Sequence, residues 1–93
     1  MSRPRAYRQA TLDIQQRFFA TVEELVEAKR IPGGVAGYCK LCDIDRRHFY
    51  SQKKNNGKGY FEVAWLLPLI KDFHVSANWL LFGTGKQYKG NTL

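Results

Sequence analysis

The 93-residue chain contains no long hydrophobic run. No stretch approaches the roughly 18 apolar residues that a membrane-spanning helix requires. The arginines near the N-terminus are not followed by the apolar segment of a secretory signal peptide. We therefore expect a soluble, cytoplasmic protein with no membrane partner.

Cysteine is scarce, and the two cysteines, Cys39 and Cys42, form a single C-x-x-C pair. With no second ligand pair and no neighbouring βαβ pattern, such a pair is a weak indication of zinc or redox chemistry. Small buried cysteines more often pack as apolar residues. No carboxylate pair is spaced for acid–base catalysis, and no histidine pairs with either cysteine on sequence grounds. The sequence predicts neither an enzyme nor a metal, cofactor or small-molecule site.

Acidic residues are absent where basic residues are densest. The chain has 15 Lys and Arg against 8 Asp and Glu, which gives a formal net charge of +7. No acid lies between Asp45 and Glu62, and three of the eight acids lie together at Glu23, Glu24 and Glu27. The basic residues of that stretch and of the N-terminus are Arg3, Arg5, Arg8, Arg46, Arg47, Lys53, Lys54 and Lys58. This asymmetry favours a polyanionic partner, with nucleic acid ahead of an acidic membrane surface.

The hydrophobic share of 44%, with 14% aromatic residues, is enough for one packed globular domain. The length leaves no room for a catalytic domain beside a binding domain. We expect a flexible basic arm over residues 1–10, a folded domain over 11–85 and a disordered tail over 86–93.

Helical periodicity and capping residues predict five helices in the folded domain. Helix one covers residues 12–30, with Thr11 as its cap, and helix two covers 35–42. Helix three follows Asp45 as its N-cap and runs to Lys54, before a loop over 55–59. The fold class is therefore all-α.

The last two predicted helices complete the core. Helix four runs from Glu62 to Phe73, and Pro68 should kink it or delay its start. Helix five is capped by Ser76 and closed by Gly83. The residues that helix four should bury are Val63, Leu66, Leu67 and Ile70. Most aromatic residues should be core, and the candidates for a homodimer face are Trp79, Leu80 and Phe82.

Helices two and three are short and separated by a tight turn, as in a helix-turn-helix. That motif needs a small residue where the second helix packs closest, an apolar anchor in the turn and one buried residue on the second helix. Cys39, Ile44 and Phe49 meet these needs, and Tyr38, Leu41 and Cys42 fall on one side of helix two.

Two segments, CKLCDIDRRHFYSQKK and VAWLLPLIKDFHVSANWLLFGTG, resemble the lambda-repressor-like (Cro-like, XRE-type) helix-turn-helix family. The resemblance covers residues 11–85 and is greatest to small regulators of bacterial prophages and mobile elements. It implies a compact five-helix fold and a repressor that binds double-stranded DNA as a homodimer. Two positions depart from the family pattern. Asp43 replaces the usual turn glycine but can adopt a left-handed conformation, and Gln52 replaces an apolar residue, which should leave helix three less firmly packed.

The resemblance implies a recognition helix over about residues 45–54 in the major groove, with Asp45 at its start. The expected base-reading residues are Arg46, Arg47, Tyr50 and Ser51, because the planar fork of arginine matches guanine. The expected phosphate contacts are Lys53, Lys54, Lys58, the backbone N–H groups of Gly34 and Val35, and the arm residues Arg3 and Arg5. His48 is either a phosphate contact or an ordinary surface residue.

A second hypothesis is a protein-interaction module, such as an antitoxin or an accessory subunit of a mobile-element complex. In that case the basic helix would be incidental. Steeply salt-dependent binding to duplex DNA by the protein alone separates the two hypotheses. RNA binding is a weaker third reading, because no aromatic sheet motif is present.

Overall fold

A computed structural model describes residues 7–90, so Arg3 and Arg5 lie outside the described part of the chain. Within it the chain forms five α-helices and a short 3-10 segment and contains no strand. The elements are α1 (Gln9–Glu27), α2 (Gly34–Cys42), α3 (Arg46–Lys54), the 3-10 segment (Val63–Leu66), α4 (Leu67–Asp72) and α5 (Ala77–Phe82). The predicted mostly helical domain with five helices is confirmed.

α1 begins earlier than the sequence indicated. Its N-cap is Arg8, so Thr11 lies inside the helix and does not cap it. Just before the helix, the Tyr7 hydroxyl donates to the Gly59 carbonyl at 3.2 Å and accepts from the Phe61 N–H at 3.0 Å. The prediction of a flexible arm was therefore wrong for residues 7–10, because Tyr7 is tied to the loop that precedes the 3-10 segment.

The core is built on aromatic side chains from four elements. Phe18 of α1 lies at its centre and contacts Tyr38, Phe49 and Trp65, each of which is at most 1% exposed. Tyr38 also makes two buried hydrogen bonds. Its hydroxyl donates to the Trp65 carbonyl at 2.6 Å and accepts from the Leu69 N–H at 3.2 Å. Burial raises the pKa of this phenol, so Tyr38 is a neutral link between α2 and the start of α4.

Pro68 delays the fourth helix, as the sequence predicted. α4 begins at Leu67 and the preceding residues form the separate 3-10 segment, because proline has no N–H for an α-helix that started at Glu62. The predicted burial of Val63 and Leu67 was wrong, since they are 70% and 50% exposed. The periodicity of one continuous helix does not hold across the junction, and Trp65 occupies the core instead.

α5 has the predicted ends. The Ser76 hydroxyl accepts from the Trp79 N–H at 3.2 Å, and Gly83 closes the helix in the left-handed region at φ 72°. Arg17 of α1 then donates to the carbonyls of Leu80 and Leu81 at 2.9 and 3.1 Å. A guanidinium at a helix C-terminus satisfies carbonyls that have no helical partner.

The segment after α5 is part of the fold, so the predicted disordered tail from residue 86 was wrong up to Gly90. The Tyr88 hydroxyl donates to a carboxylate oxygen of Glu24 on α1 at 2.7 Å. The Gln87 side-chain amide donates to the same oxygen at 2.9 Å, and the Lys89 N–H donates to the His74 carbonyl at 2.8 Å. These bonds join the C-terminal segment to both α1 and the α4–α5 connection.

No helix within residues 7–90 is long and apolar enough to span a membrane.

Candidate nucleic-acid interface

The turn between α2 and α3 is closed by backbone hydrogen bonds. Asp43 follows α2 in the left-handed region, at φ 57° and ψ 47°, as predicted for the residue that replaces a glycine. The Ile44 N–H donates to the Cys39 carbonyl at 3.0 Å, and the Asp43 N–H donates to the Lys40 carbonyl at 3.2 Å. Cys39 is 3% exposed and Ile44 packs against the core. These contacts fix the direction in which α3 leaves α2.

α3 divides into a buried face and an exposed face. Phe49 and Gln52 are buried, at 1% and 2% exposure. The outward-facing residues are Arg46, Arg47, Tyr50, Ser51 and Lys54, and all of them are exposed. The structure thus places all four predicted base-reading residues on the exposed side of one helix.

Asp45 is the N-cap of α3 by backbone position, but its side chain accepts no capping hydrogen bond. Its carboxylate lies 3.7 Å from Nε of Arg47 instead, and both side chains are well exposed. A solvent-exposed ion pair contributes little and is easily exchanged for another partner. Arg47 therefore remains free to bind an external acceptor.

Gln52 is held more firmly than the sequence suggested. Its side-chain nitrogen donates to Oε1 of Gln15 on α1 at 2.9 Å, and its Oε1 accepts from the Tyr60 N–H at 2.9 Å. The prediction that Gln52 loosens helix three was wrong, because these bonds join α3 to α1 and to the following loop. Gly59 completes the arrangement: at φ +83°, a Cβ on Gly59 would lie 2.5 Å from Oε1 of Gln52.

The predicted phosphate-binding lysines differ in their surroundings. Lys54 and Lys58 are exposed, whereas Lys53 forms an ion pair with Glu23 of α1. Lys53 would have to exchange this carboxylate for a phosphate. The structure therefore supports Lys54 and Lys58 more directly as phosphate contacts.

The predicted N–H donors at the start of α2 are only partly available. The Gly34 N–H already donates to the Ile31 carbonyl at 2.9 Å, so this half of the prediction was wrong. Val35 lies in the first turn of α2, where N–H groups have no helical acceptor. Val35 also lines, with Tyr50 and Lys53, a groove of about 330 Å³. The groove's other side carries Glu23 and Glu27, which would repel a phosphate.

His48 has a structural role that the sequence left open. Its Nε2 lies 2.9 Å from the Tyr60 carbonyl, and its ring meets Trp65 edge-on at 5.4 Å between centroids. It is not a free phosphate contact. The exposed ring of Tyr60 lies beside it at 5.6 Å, and sequence reasoning did not single out Tyr60. Only its position directly after the basic loop could have drawn attention to it.

The two thiols show no sign of activation. Burial raises the pKa of Cys39, and it raises the pKa of Cys42 to about 11. Cys42 sits with its Sγ 3.6 Å from the Trp65 carbonyl. Among the described residues, no group of three or more His, Cys, Asp or Glu side chains could hold a metal ion.

Comparison of the chain with protein-family models, with curated proteins and with solved structures finds no match.

Proposed function

We propose that this chain is a transcriptional repressor that binds double-stranded DNA sequence-specifically, with α3 in the major groove. The observation that carries the proposal is the two-faced character of α3. Phe49 and Gln52 anchor one face to the core, while the opposite face is exposed and carries Arg46, Arg47 and Lys54. A helix of nine residues is about 13 Å long, which suits insertion into the major groove.

The exposed side chains divide into two roles. Arg46 and Arg47 at the start of α3 carry planar forks that can donate to O6 and N7 of guanine together. Tyr50 and Ser51 lie one turn further on, where they can meet a base edge or a thymine methyl group. Lys54 and Lys58 supply point charges for phosphates and therefore add affinity without sequence information.

The firm anchoring of α3 favours sequence-specific recognition of DNA over nonspecific electrostatic binding to phosphates. Base-edge hydrogen bonds require side chains that start from a fixed backbone, and the Gln15–Gln52–Tyr60 bonds provide this at the far end of the helix. The closed turn at Asp43 and Ile44 provides it at the near end. A surface that only attracted phosphates would need neither these hydrogen bonds nor the closed turn.

The test is a fluorescence-anisotropy titration with random duplex DNA at several salt concentrations, followed by sequencing of the retained DNA. We expect a recovered motif with dyad symmetry and an affinity that falls steeply with salt. Arg47→Ala should cost roughly 1–3 kcal/mol on the recovered site and relax the preference at one base pair. Lys54→Ala should weaken all sequences alike.

Lys86→Ala is the matched control, because it removes one exposed positive charge away from α3. It should change binding little. Equal losses on specific and random DNA for Arg47→Ala would remove that residue from base reading. Absence of duplex binding at low salt would overturn the proposal and favour a protein-interaction module.

A further inference from the structure

A concave apolar surface lies where α2 meets the 3-10 segment and α4. It is a groove of about 320 Å³ whose apolar lining includes Leu41, Ala64, Leu67 and Pro68. Leu41 is 52% exposed and Leu67 is 50% exposed. We call this surface the α2–α4 face. Single exposed leucines are ordinary, but leucines from two helices that line one groove indicate an interaction surface.

The face is unexpected from the hydrophobic pattern. The pattern assigns Leu67 to the core, and Leu41 to the same side of α2 as the buried Tyr38. Both leucines remain half-exposed although the core beside them is complete, with Trp65 and Leu69 fully buried. Covering them would remove apolar area from water at roughly 25 cal/mol per Å².

The structure weakens the alternative self-association surface on α5. Leu80, one of its candidate residues, is fully buried, and its carbonyl is already bonded to Arg17. Trp79 is partly buried against the core, so Phe82 is the one candidate that is strongly exposed, at 69%. That surface offers Phe82 beside the less exposed Leu81 on one helix, whereas the α2–α4 face offers a groove lined from two helices.

We propose that a second copy of this chain docks on the α2–α4 face, in an arrangement with two-fold symmetry. Charge complementarity favours a second copy as the occupant of this face. Two copies with a net charge of +7 repel each other, so their contact must avoid the basic surface. The charges that line this groove are one lysine and one aspartate, Lys71 and Asp72, which cancel.

Lys71 and Asp72 also make the face self-complementary. In a two-fold interface residue i meets residue j of the partner, and residue j meets residue i. Lys71 of each copy can therefore form an ion pair with Asp72 of the other copy. Leu41 and Leu67 of both copies would then pack between these two ion pairs. Within residues 7–90 neither side chain is held in a salt bridge. Both are available to a second copy.

The inference rests on the proposed function, because a dimer explains how a small reader of DNA would bind a site with dyad symmetry. The α2–α4 face and the outward face of α3 share no residue. The proposed contact therefore does not itself use the side chains that we propose read DNA. DNA binding and self-association can therefore be measured separately.

The first experiment is sedimentation equilibrium of the purified chain without DNA, with Leu67→Glu and the matched variant Phe82→Glu. Both positions are already exposed, so neither variant should disturb folding, which circular dichroism checks. We expect a concentration-dependent dimer for the wild type and for Phe82→Glu. Leu67→Glu should weaken the dimer by about ten-fold or more, as expected for a charge placed in an interface core.

A charge exchange tests the geometry itself. Lys71→Asp places two acids on each face and Asp72→Lys places two lysines there, so each variant alone should dimerise less well than the wild type. Mixed together, the two variants should form a heterodimer, because every pairing across the interface is then between opposite charges. A face used for any other partner would show no such recovery.

A wild-type chain that stays monomeric throughout the concentration range overturns the proposal. So does a dimer that Phe82→Glu breaks and Leu67→Glu spares, or a mixture of the two charge variants that fails to associate. Binding of Leu67→Glu to a duplex with one half-site gives the separate readout for the proposed function. Normal half-site affinity with lost self-association supports both proposals. A wild-type chain that dimerises but binds no duplex DNA refutes only the proposed function.

Discussion

Replacement of Gln52 by leucine tests how the core holds α3. Leucine keeps the side chain's approximate volume but makes no hydrogen bond. The change removes the acceptor of the Tyr60 N–H and the donor to Gln15, which is fully buried. A buried polar group left without its partner costs about 1–3 kcal/mol. The Tyr60 N–H is only partly buried, so we expect Gln52→Leu to lower the free energy of unfolding by roughly 2–4 kcal/mol.

Gln15→Leu should cost much less, although it removes the other half of the pair. Nε2 of Gln15 is buried and has no hydrogen-bond partner in the described structure. Replacing Gln15 therefore removes the desolvation cost of this unpaired nitrogen. Gln52 would keep its bond from the Tyr60 N–H and a longer one to the Asn56 carbonyl at 3.4 Å. The expected cost is under about 1 kcal/mol. The double variant should cost less than the sum of the two, because Gln15 is then no longer orphaned.

The assay is urea unfolding, monitored by tryptophan fluorescence, to which the buried Trp65 contributes, and by helical circular dichroism. The urea concentration at the midpoint should decrease in the order wild type, Gln15→Leu, Gln52→Leu. The slope of the free energy of unfolding against urea concentration should stay unchanged. A Gln52→Leu protein within about 0.5 kcal/mol of the wild type would refute the reasoning, given the usual scatter of surface substitutions. So would a larger loss for Gln15→Leu than for Gln52→Leu.

Three further local features of the fold can be tested by substitution. Gly59→Ala should lose about 1–3 kcal/mol, because its φ of +83° and the 2.5 Å approach to the neighbouring side-chain oxygen both oppose a Cβ. Gly57→Ala, which meets open space, is the control for the same urea measurement and should be nearly neutral. Ser76→Ala should lose about 1 kcal/mol with its capping bond. Asp45→Ala should lose less, since its side chain makes no capping bond, and equal losses in thermal unfolding would contradict this reading. Cys42 should react slowly with a thiol reagent near pH 8 until urea unfolds the chain. Because its pKa is raised to about 11 when folded, the stability that its protonated form contributes is present below about pH 8.5 and lost as pH rises toward 11. The stability difference between wild type and Cys42→Ala should shrink over that range, and a constant difference would argue against the shift.

The sequence alone determined the number of helices and several of their ends. Asp43 in the left-handed turn, Ser76 as a cap and Gly83 as a terminator follow from steric and hydrogen-bonding preferences that act within a few residues. Pro68 delayed α4 for an equally local reason, its missing N–H. The outward set of residues on α3 was implied by the resemblance, and the burial of Phe49 followed from its spacing after Ile44.

Which polar groups are hydrogen-bonded and which apolar groups stay exposed depends on contacts between segments that are distant in sequence. Gln52 bonds to Gln15 across 37 positions of sequence, and Tyr88 to Glu24 across 64. Leu67, apolar and correctly spaced for burial, lies half-exposed because the 3-10 segment breaks the helical register. Local patterns carry information about the conformation of a segment, whereas burial and pairing depend on segments that meet only once the chain has folded. For that reason the extent of α3 could be predicted from the sequence, and the anchoring of that helix and the α2–α4 face could not.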